Sequence, residues 1–238
     1  MDNSSIQKYM KFKTIFFFKP KFNNKLKYSH AQLPTAIVLN KVVRVFYAMR
    51  DKDQKSNIFY SDFRIDNNLK IKEVHTSKKP ILIVGKEGSC DSDGVIPSSI
   101  IKSGSKYYLY FIGWNKGKER PLFHSSICLA VSRDCRKFKK LFDSPIFQRN
   151  QNDPYLVTSP NINKEKYGYT MFYTSGSFWR KINGVYESKY NLKIAKSKNK
   201  FNWSTSKKFL LNFRKNEKNI GHPFYFKINS KKFLFYSY

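Results

Sequence analysis

A period of 63 residues constrains this chain more than any other feature. Pro34, Pro97, Pro160 and Pro223 each sit in an apolar run, and consecutive ones are 63 residues apart. Thirteen residues after each proline comes a tyrosine that closes an aromatic run: Tyr47, Tyr110, Tyr173 and Tyr236. The residue before each tyrosine is apolar too, being Phe46, Leu109, Phe172 or Phe235. A fixed period means one structural unit copied along the chain, each copy burying its apolar face against the next.

Each unit reads as strands. The proline lies in a first strand (Leu33 to Leu39, Ile96 to Ile101, Ser159 to Ile162, His222 to Ile228). A short polar turn follows, such as Lys102-Ser103-Gly104-Ser105-Lys106. The second strand is aromatic and β-branched: Val42 to Tyr47, Tyr107 to Ile112, Tyr169 to Tyr173 and Phe233 to Tyr236. A third alternates (Asn57 to Ser61, Ser126 to Ser132, Leu192 to Ser197), and a fourth is weaker, as at Phe138 to Phe142. Four strands per unit at a period of roughly 40 to 60 residues is the arithmetic of a β-propeller blade. No helical apolar periodicity supports a solenoid, and a two-sheet sandwich, the runner-up, gives no reason for the period. The expectation is one incomplete all-β propeller domain over residues 1–238, with blades at about 28–90, 91–153, 154–216 and a partial 217–238.

Composition narrows the function classes. Aromatics are 17% of the 238 residues, which is ample bulk for a core. No run approaches the roughly 18 apolar residues of a membrane helix. The patch Thr14 to Phe18 is too short for a signal-peptide core and is expected to be an early strand. Three cysteines (Cys90, Cys128, Cys135) make no even framework and no zinc spacing, so the expectation is a cytoplasmic protein without metal or other cofactor. The formal net charge of +30 is the footprint of a nucleic-acid binder. Yet 37 of the 46 basic residues are lysine, spread along the chain with abundant Asn, Phe, Ile and Tyr. Codon composition accounts for that pattern, no nucleic-acid module accompanies it, and the charge is not assigned to such a partner.

Neighbouring strands of a blade run up and down. Residues just before each proline therefore share one mouth with those just after each tyrosine. That mouth collects His30 and Gln32, Asp91 and Asp93, Asp153 and Thr158, Glu217 and His222, together with Arg50, Asp51, Trp114 and Trp179. Only 16 residues of the chain are acidic, so five of them at one mouth stand out. Paired carboxylates across a cleft are what cleavage of a glycosidic bond needs, one as acid and one as base or nucleophile. On this reading Asp93, Asp153 and Glu217 are the candidate catalytic acids. His30, Gln32, Arg50, Asp51, Asp91, Trp114, Trp179 and His222 are candidate substrate-binding residues, with Glu187 and Arg180 as weaker candidates. Indole faces suit sugar rings, and an arginine clamps a carboxylate or phosphate. Each has a structural alternative. Asp153 before Pro154 and Asp93 before Gly94 are turn signals, Arg50-Asp51 is a possible surface ion pair, and the tryptophans are possible packing between blades.

The segments Ser29-His30-Ala31-Gln32-Leu33-Pro34-Thr35 and Arg44-Val45-Phe46-Tyr47-Ala48-Met49-Arg50-Asp51 resemble the first blade of five-bladed propeller proteins related to glycoside hydrolase families 43 and 32. Asp93-Gly94-Val95-Ile96-Pro97-Ser98-Ser99, then Tyr107 to Asn115 and Ser126 to Ser132, resemble their second blade. Asp153-Pro154-Tyr155, Ser159-Pro160, Met171-Phe172-Tyr173 and Trp179 resemble the third. The resemblance covers residues 28 to 238 and is to an uncharacterised branch found beside surface-polysaccharide genes. It implies a five-bladed, carboxylate-lined propeller acting on saccharides by hydrolysis or phosphorolysis. Against that pattern, His222 stands where an arginine is usual, and the chain stops at Tyr238 midway through the fourth blade. The competing expectation is therefore a non-catalytic carbohydrate-binding propeller or an inactive truncated remnant.

Overall fold

The computed structural model describes residues 14–20, 28–119, 121–215 and 217–238, and these contain strands and turns but no helix. Four strands form a first sheet: β1 (Ser29–Leu39), β2 (Val42–Arg50), β3 (Ser56–Ile65) and β4 (Ile71–Thr76). The second holds β5 (Gly94–Ser103), β6 (Lys106–Lys116), β7 (Phe123–Ser132) and β8 (Lys139–Lys140). The third holds β9 (Val157–Glu165), β10 (Gly168–Ile182), β11 (Val185–Ser197) and β12 (Ser204–Thr205). A hairpin of β13 (Gly221–Ile228) and β14 (Lys231–Ser237) ends the chain. Within each sheet successive strands pair antiparallel, and one parallel bridge from Ser56 to Gly94 joins the first two sheets. The first strands β1, β5, β9 and β13 lie side by side. The chain is thus all-β and of propeller type, with three four-stranded blades and a hairpin at the place of a fourth.

The landmark residues now have a physical cause. In blades 1 and 3 and in the final hairpin, the proline and the residue before it lie together opposite the landmark tyrosine. The flanking pairs are Gln32 with Ala48 and Thr35 with Phe46, then Thr158 with Thr174 and Asn161 with Phe172, then Gly221 with Ser237 and Phe224 with Phe235. Two residues against one is a β-bulge, a place where a proline with no N–H to donate costs no ladder bond. The residue before the proline has left-handed backbone at Leu33 (φ 49°), Ser159 (φ 50°) and His222 (φ 52°). Blade 2 differs: its extra residue is Ser98, after Pro97, and Ile96 keeps ordinary strand backbone. The spacing of 13 residues is therefore the distance from a bulge to its partner across the hairpin.

Cores form between blades. Phe46, Ile58, Val95, Leu109, Phe111 and Ala130 interleave blades 1 and 2, and Tyr110, Ile127, Leu129, Met171 and Tyr173 interleave blades 2 and 3. Each of the larger of these side chains, fully buried, contributes about 1.5–3 kcal/mol of transfer free energy. Side-chain hydrogen bonds stitch the inner strands of blades 2 and 3: Ser98 Oγ donates to the Pro160 carbonyl (2.8 Å), and Ser99 Oγ accepts from the Ile162 amide (2.9 Å). The Arg44 guanidinium is buried with Asp62 in a two-pronged ion pair (2.7 and 2.6 Å) and reaches the Cys135 carbonyl.

Thr14 to Phe18 is not a strand. It runs without ladder partners, and Phe18 stacks edge-on against Phe63 at 4.8 Å between ring centroids. Aromatic side chains, rather than backbone pairing, seat it on blade 1. Residues 1–13 and 21–27, which the sequence reading includes in the propeller domain, lie outside the described residues. The cysteines are unbridged, with the Cys90 and Cys128 sulfurs 3.6 Å apart.

Candidate functional site

The inner strands converge on a cavity of about 850 Å³. Its first ring of side chains comes from one position of the repeat, the residue before each landmark proline: Leu33, Ile96, Ser159 and His222. The bulge turns Leu33, Ser159 and His222 inward, and Ile96 reaches the same ring from ordinary strand backbone. Arg50, at the end of β2, and Trp114 and Lys116, at the end of β6, form the next wall. Leu122, Phe123 and Leu156 extend it, and Thr158, Thr174, Ser188 and Tyr190 add hydroxyls on the blade 3 side.

Trp114 is held by its own hydrogen bond, its indole Nε1 donating to Ser56 Oγ at 2.8 Å. Gly94 lies directly beneath: a β-carbon there would overlap both the indole nitrogen and that hydroxyl. The Asp93-Gly94 pair thus serves a close approach of side chains as well as a turn. The His222 ring faces the cavity with Nδ1 3.1 Å from Ser159 Oγ, and surrounding protein lowers its pKa below the ordinary histidine value of 6.5. It is neutral at pH 7, with a ring nitrogen left to meet a hydroxyl.

Arg50, Trp114 and His222 line the cavity, and the other sequence candidates lie elsewhere. Asp93 is at its edge, accepting the Lys116 amide (2.9 Å) and pairing with the Lys116 ammonium (3.5 Å). Asp153 is fully buried, accepting from Tyr173 Oη (3.1 Å), Ser175 Oγ (2.6 Å) and Lys193 Nζ (3.0 Å). Glu217 accepts the Arg214 amide (2.8 Å) and Tyr236 Oη (3.3 Å). Tyr173 and Tyr236 are both landmark tyrosines, so these two acids occupy matching structural positions. Asp91 pairs with Lys140 and accepts Ser89 Oγ. Asp51 accepts the Asp53 and Lys55 amides and Asn57 Nδ2, capping the loop after β2. His30 meets Ser29 Oγ, and Gln32 faces a separate apolar cleft beneath the 14–20 segment. Trp179 packs edge-on against Phe123 at 5.7 Å, and Glu187 lies opposite Arg180 along the β10–β11 hairpin.

Among the described residues, no carboxylate lines the cavity, and no group of three His, Cys, Asp or Glu is placed to hold a metal. What it offers is an indole and a phenol face, several hydroxyls, a neutral imidazole and two cations. That set suits binding of a polyhydroxylated ligand. Leu33, Ile96, Ser159 and Lys116 were not singled out in the sequence. The position before each proline was the available signal, because bulges re-aim side chains.

No family model matches the chain. Two uncharacterized proteins of Mycobacterium tuberculosis, from strains H37Rv and CDC 1551, are each 27% identical over 176 residues, which is 74% of this chain and 57% of each relative. The chain spans little more than half the length of these relatives. Among solved structures, the BT0996 complex with RGII has a TM-score of 0.65 at 14% identity, covering 91% of this chain and 67% of that one. A Bombyx mori GH32 β-fructofuranosidase in complex with sucrose gives 0.62 at 17%, covering 87% and 41%. Zg3597, a family 117 glycoside hydrolase of Zobellia galactanivorans, gives 0.61 at 14%, covering 91% and 69%. At such identities the likeness is one of fold: the chain has the propeller fold found in glycoside hydrolases.

Proposed function

We propose that this chain is a carbohydrate-binding propeller whose ligand seats in the cavity against Trp114. The observation that carries the reading is the cavity's makeup. A fixed indole shares the cavity with hydroxyls and a neutral imidazole, in a fold also found in glycoside hydrolases. Sugar rings present apolar C–H faces to an aromatic plane and hydroxyls to polar groups, and the two walls divide in that way. The full ring is taken as five-bladed, as the sequence resemblance implies. Calorimetric titration with a panel of mono- and oligosaccharides tests the reading. We expect at least one to bind, and Trp114→Ala to weaken it at least about tenfold, equivalent to about 1.4 kcal/mol. Absence of any sugar response from the native chain would overturn it.

Glycoside cleavage is the second reading, favoured by one observation. Of the three candidate acids, Asp93 alone combines an edge position on the cavity with a side chain that is 20% exposed. Asp153 and Glu217 would act on this reading only through rearrangement of the hydrogen bonds that hold them. Asp93→Asn should then abolish turnover of a bound glycoside while leaving its affinity nearly unchanged. Undiminished turnover would remove Asp93 from the chemistry.

A further inference from the structure

We infer that the saccharide taken by this cavity carries an anionic group, a carboxylate or a phosphate, and that Arg50 binds it. The inference deepens the carbohydrate reading and rests on it. Arg50 lines the cavity, and its Nε is buried with no hydrogen-bond partner. A guanidinium carries five donors in a rigid fork and stays charged at any working pH. Arg50 is half-buried as a residue, and leaving one of its donors dry and unpaired is costly.

The obvious local partner is turned away. Asp51 follows Arg50 directly, but its carboxylate is spent on the Asp53 and Lys55 amides and the Asn57 amide group. No ion pair joins the two, although adjacency in sequence suggested one. The other cation of the cavity, Lys116, has Asp93 as counterion at 3.5 Å with its ammonium stem largely in solvent. Arg50 is therefore the charge without an answer among the described residues. No acidic residue is among the described lining groups: Leu33, Ile96, Trp114 and Ser159 have no charge to offer, and His222 has its pKa held down. An oxyanion presented at this wall would meet the guanidinium in two-pronged fashion, with sugar hydroxyls reaching Ser159 and His222.

The test is binding of matched neutral and charged sugars to the native chain, Arg50→Gln and Arg50→Lys. The probes are glucose with glucuronate and glucose 6-phosphate, galactose with galacturonate, and inorganic phosphate alone. We expect a charged sugar to bind at least about tenfold more tightly than its neutral partner. Arg50→Gln should erase that preference, and Arg50→Lys should keep part of it because the charge remains without the fork. Uronate and phosphate arms show which oxyanion is taken. Equal binding of charged and neutral sugars, or a preference that survives Arg50→Gln, would overturn the inference and leave the carbohydrate reading standing. Binding of inorganic phosphate with no response to any sugar would overturn the carbohydrate reading and this inference with it. A melting curve for each variant shows that it is folded, and Arg50→Lys carries the test should Arg50→Gln not fold.

Discussion

Blades 2 and 3 are two copies of one repeat, and they agree where the blade holds itself together but differ where it faces the cavity. After the third strand of each, a serine and an Asx residue close the same turn. In blade 2, Ser132 Oγ donates to Asp134, which accepts the Arg136 and Lys137 amides. In blade 3, Ser197 Oγ meets Asn199, which accepts the Phe201 and Asn202 amides. Both landmark tyrosines, Tyr110 and Tyr173, are wholly buried. At the cavity the match ends. Ile96 of blade 2 is replaced by Ser159 of blade 3, and Trp114 by Ser177. Blade 2 gives an apolar wall and blade 3 a hydroxylated one. Packing tolerates only a few chemistries at its positions, whereas a cavity position answers to its ligand.

The largest effect should come from the buried carboxylates, which look alike in the two blades but differ in exposure. The pair Asp153–Lys193 has both side chains at 2% exposure or less, and Lys193 also donates to the Asn152 carbonyl. Asp153→Ala leaves that ammonium buried and unpaired, a loss of about 3–5 kcal/mol. In blade 2, Lys140 is 20% exposed and is able to swing its charge into water when Asp91 is removed. Asp91→Ala should therefore cost only about 1–2 kcal/mol. Urea unfolding of both variants measures the difference, and equal losses would mean that the two pairs are equivalent.

Next in size is the hydroxylated wall. Ser159→Ala removes the hydroxyl that meets His222 and moves blade 3 toward the apolar character of blade 2. Affinity for the bound saccharide should fall about three- to tenfold, while stability changes by no more than about 1 kcal/mol. Ile96→Ala on the opposite wall should leave the polar contacts intact and change affinity less. Calorimetry on the two variants ranks the walls, and a larger loss from Ile96→Ala would reverse the assignment.

These contrasts also explain what was legible in the sequence. The repeat was, because a bulge accepts proline and a strand end between two blades requires a large buried ring, so residue type follows from backbone and packing. The cavity was only partly so. Arg50, Trp114 and His222 were found from strand polarity alone, but the same rule gathered Asp91, Asp153 and Glu217, whose side chains point into the blades. Chain position fixes which end of a strand a residue occupies; its partners decide the direction of the side chain. Lys193 shows the limit most clearly: a lysine within an alternating strand reads as solvent-facing, yet here it is buried against an aspartate two strands of sequence away. The bulges hid Leu33 and Ser159 for a related reason, since an extra residue shifts the two-residue alternation by one.

The smallest effect is also the sharpest test of interchangeable packing. Asp134→Asn gives blade 2 the turn residue of blade 3, and an amide oxygen accepts the same two N–H groups. Those bonds hold the Asp134 carboxyl down at about 2, from an ordinary 3.8, mainly through the Lys137 amide. A depressed folded-state value means that the carboxylate stabilises the fold in full above pH 3.8 and loses that contribution as pH falls through about 2. The group is mostly exposed, so solvent screening reduces the stabilisation to about half a kcal/mol. Asp134→Asn should therefore be slightly less stable than the native chain at pH 6, and the gap should narrow steadily as pH falls from 4 toward about 2. Thermal melts of the two proteins across that range measure the gap. A gap that widens toward acid, or a loss of about 2 kcal/mol or more at neutral pH, would show that the aspartate does something in blade 2 that asparagine does not do in blade 3.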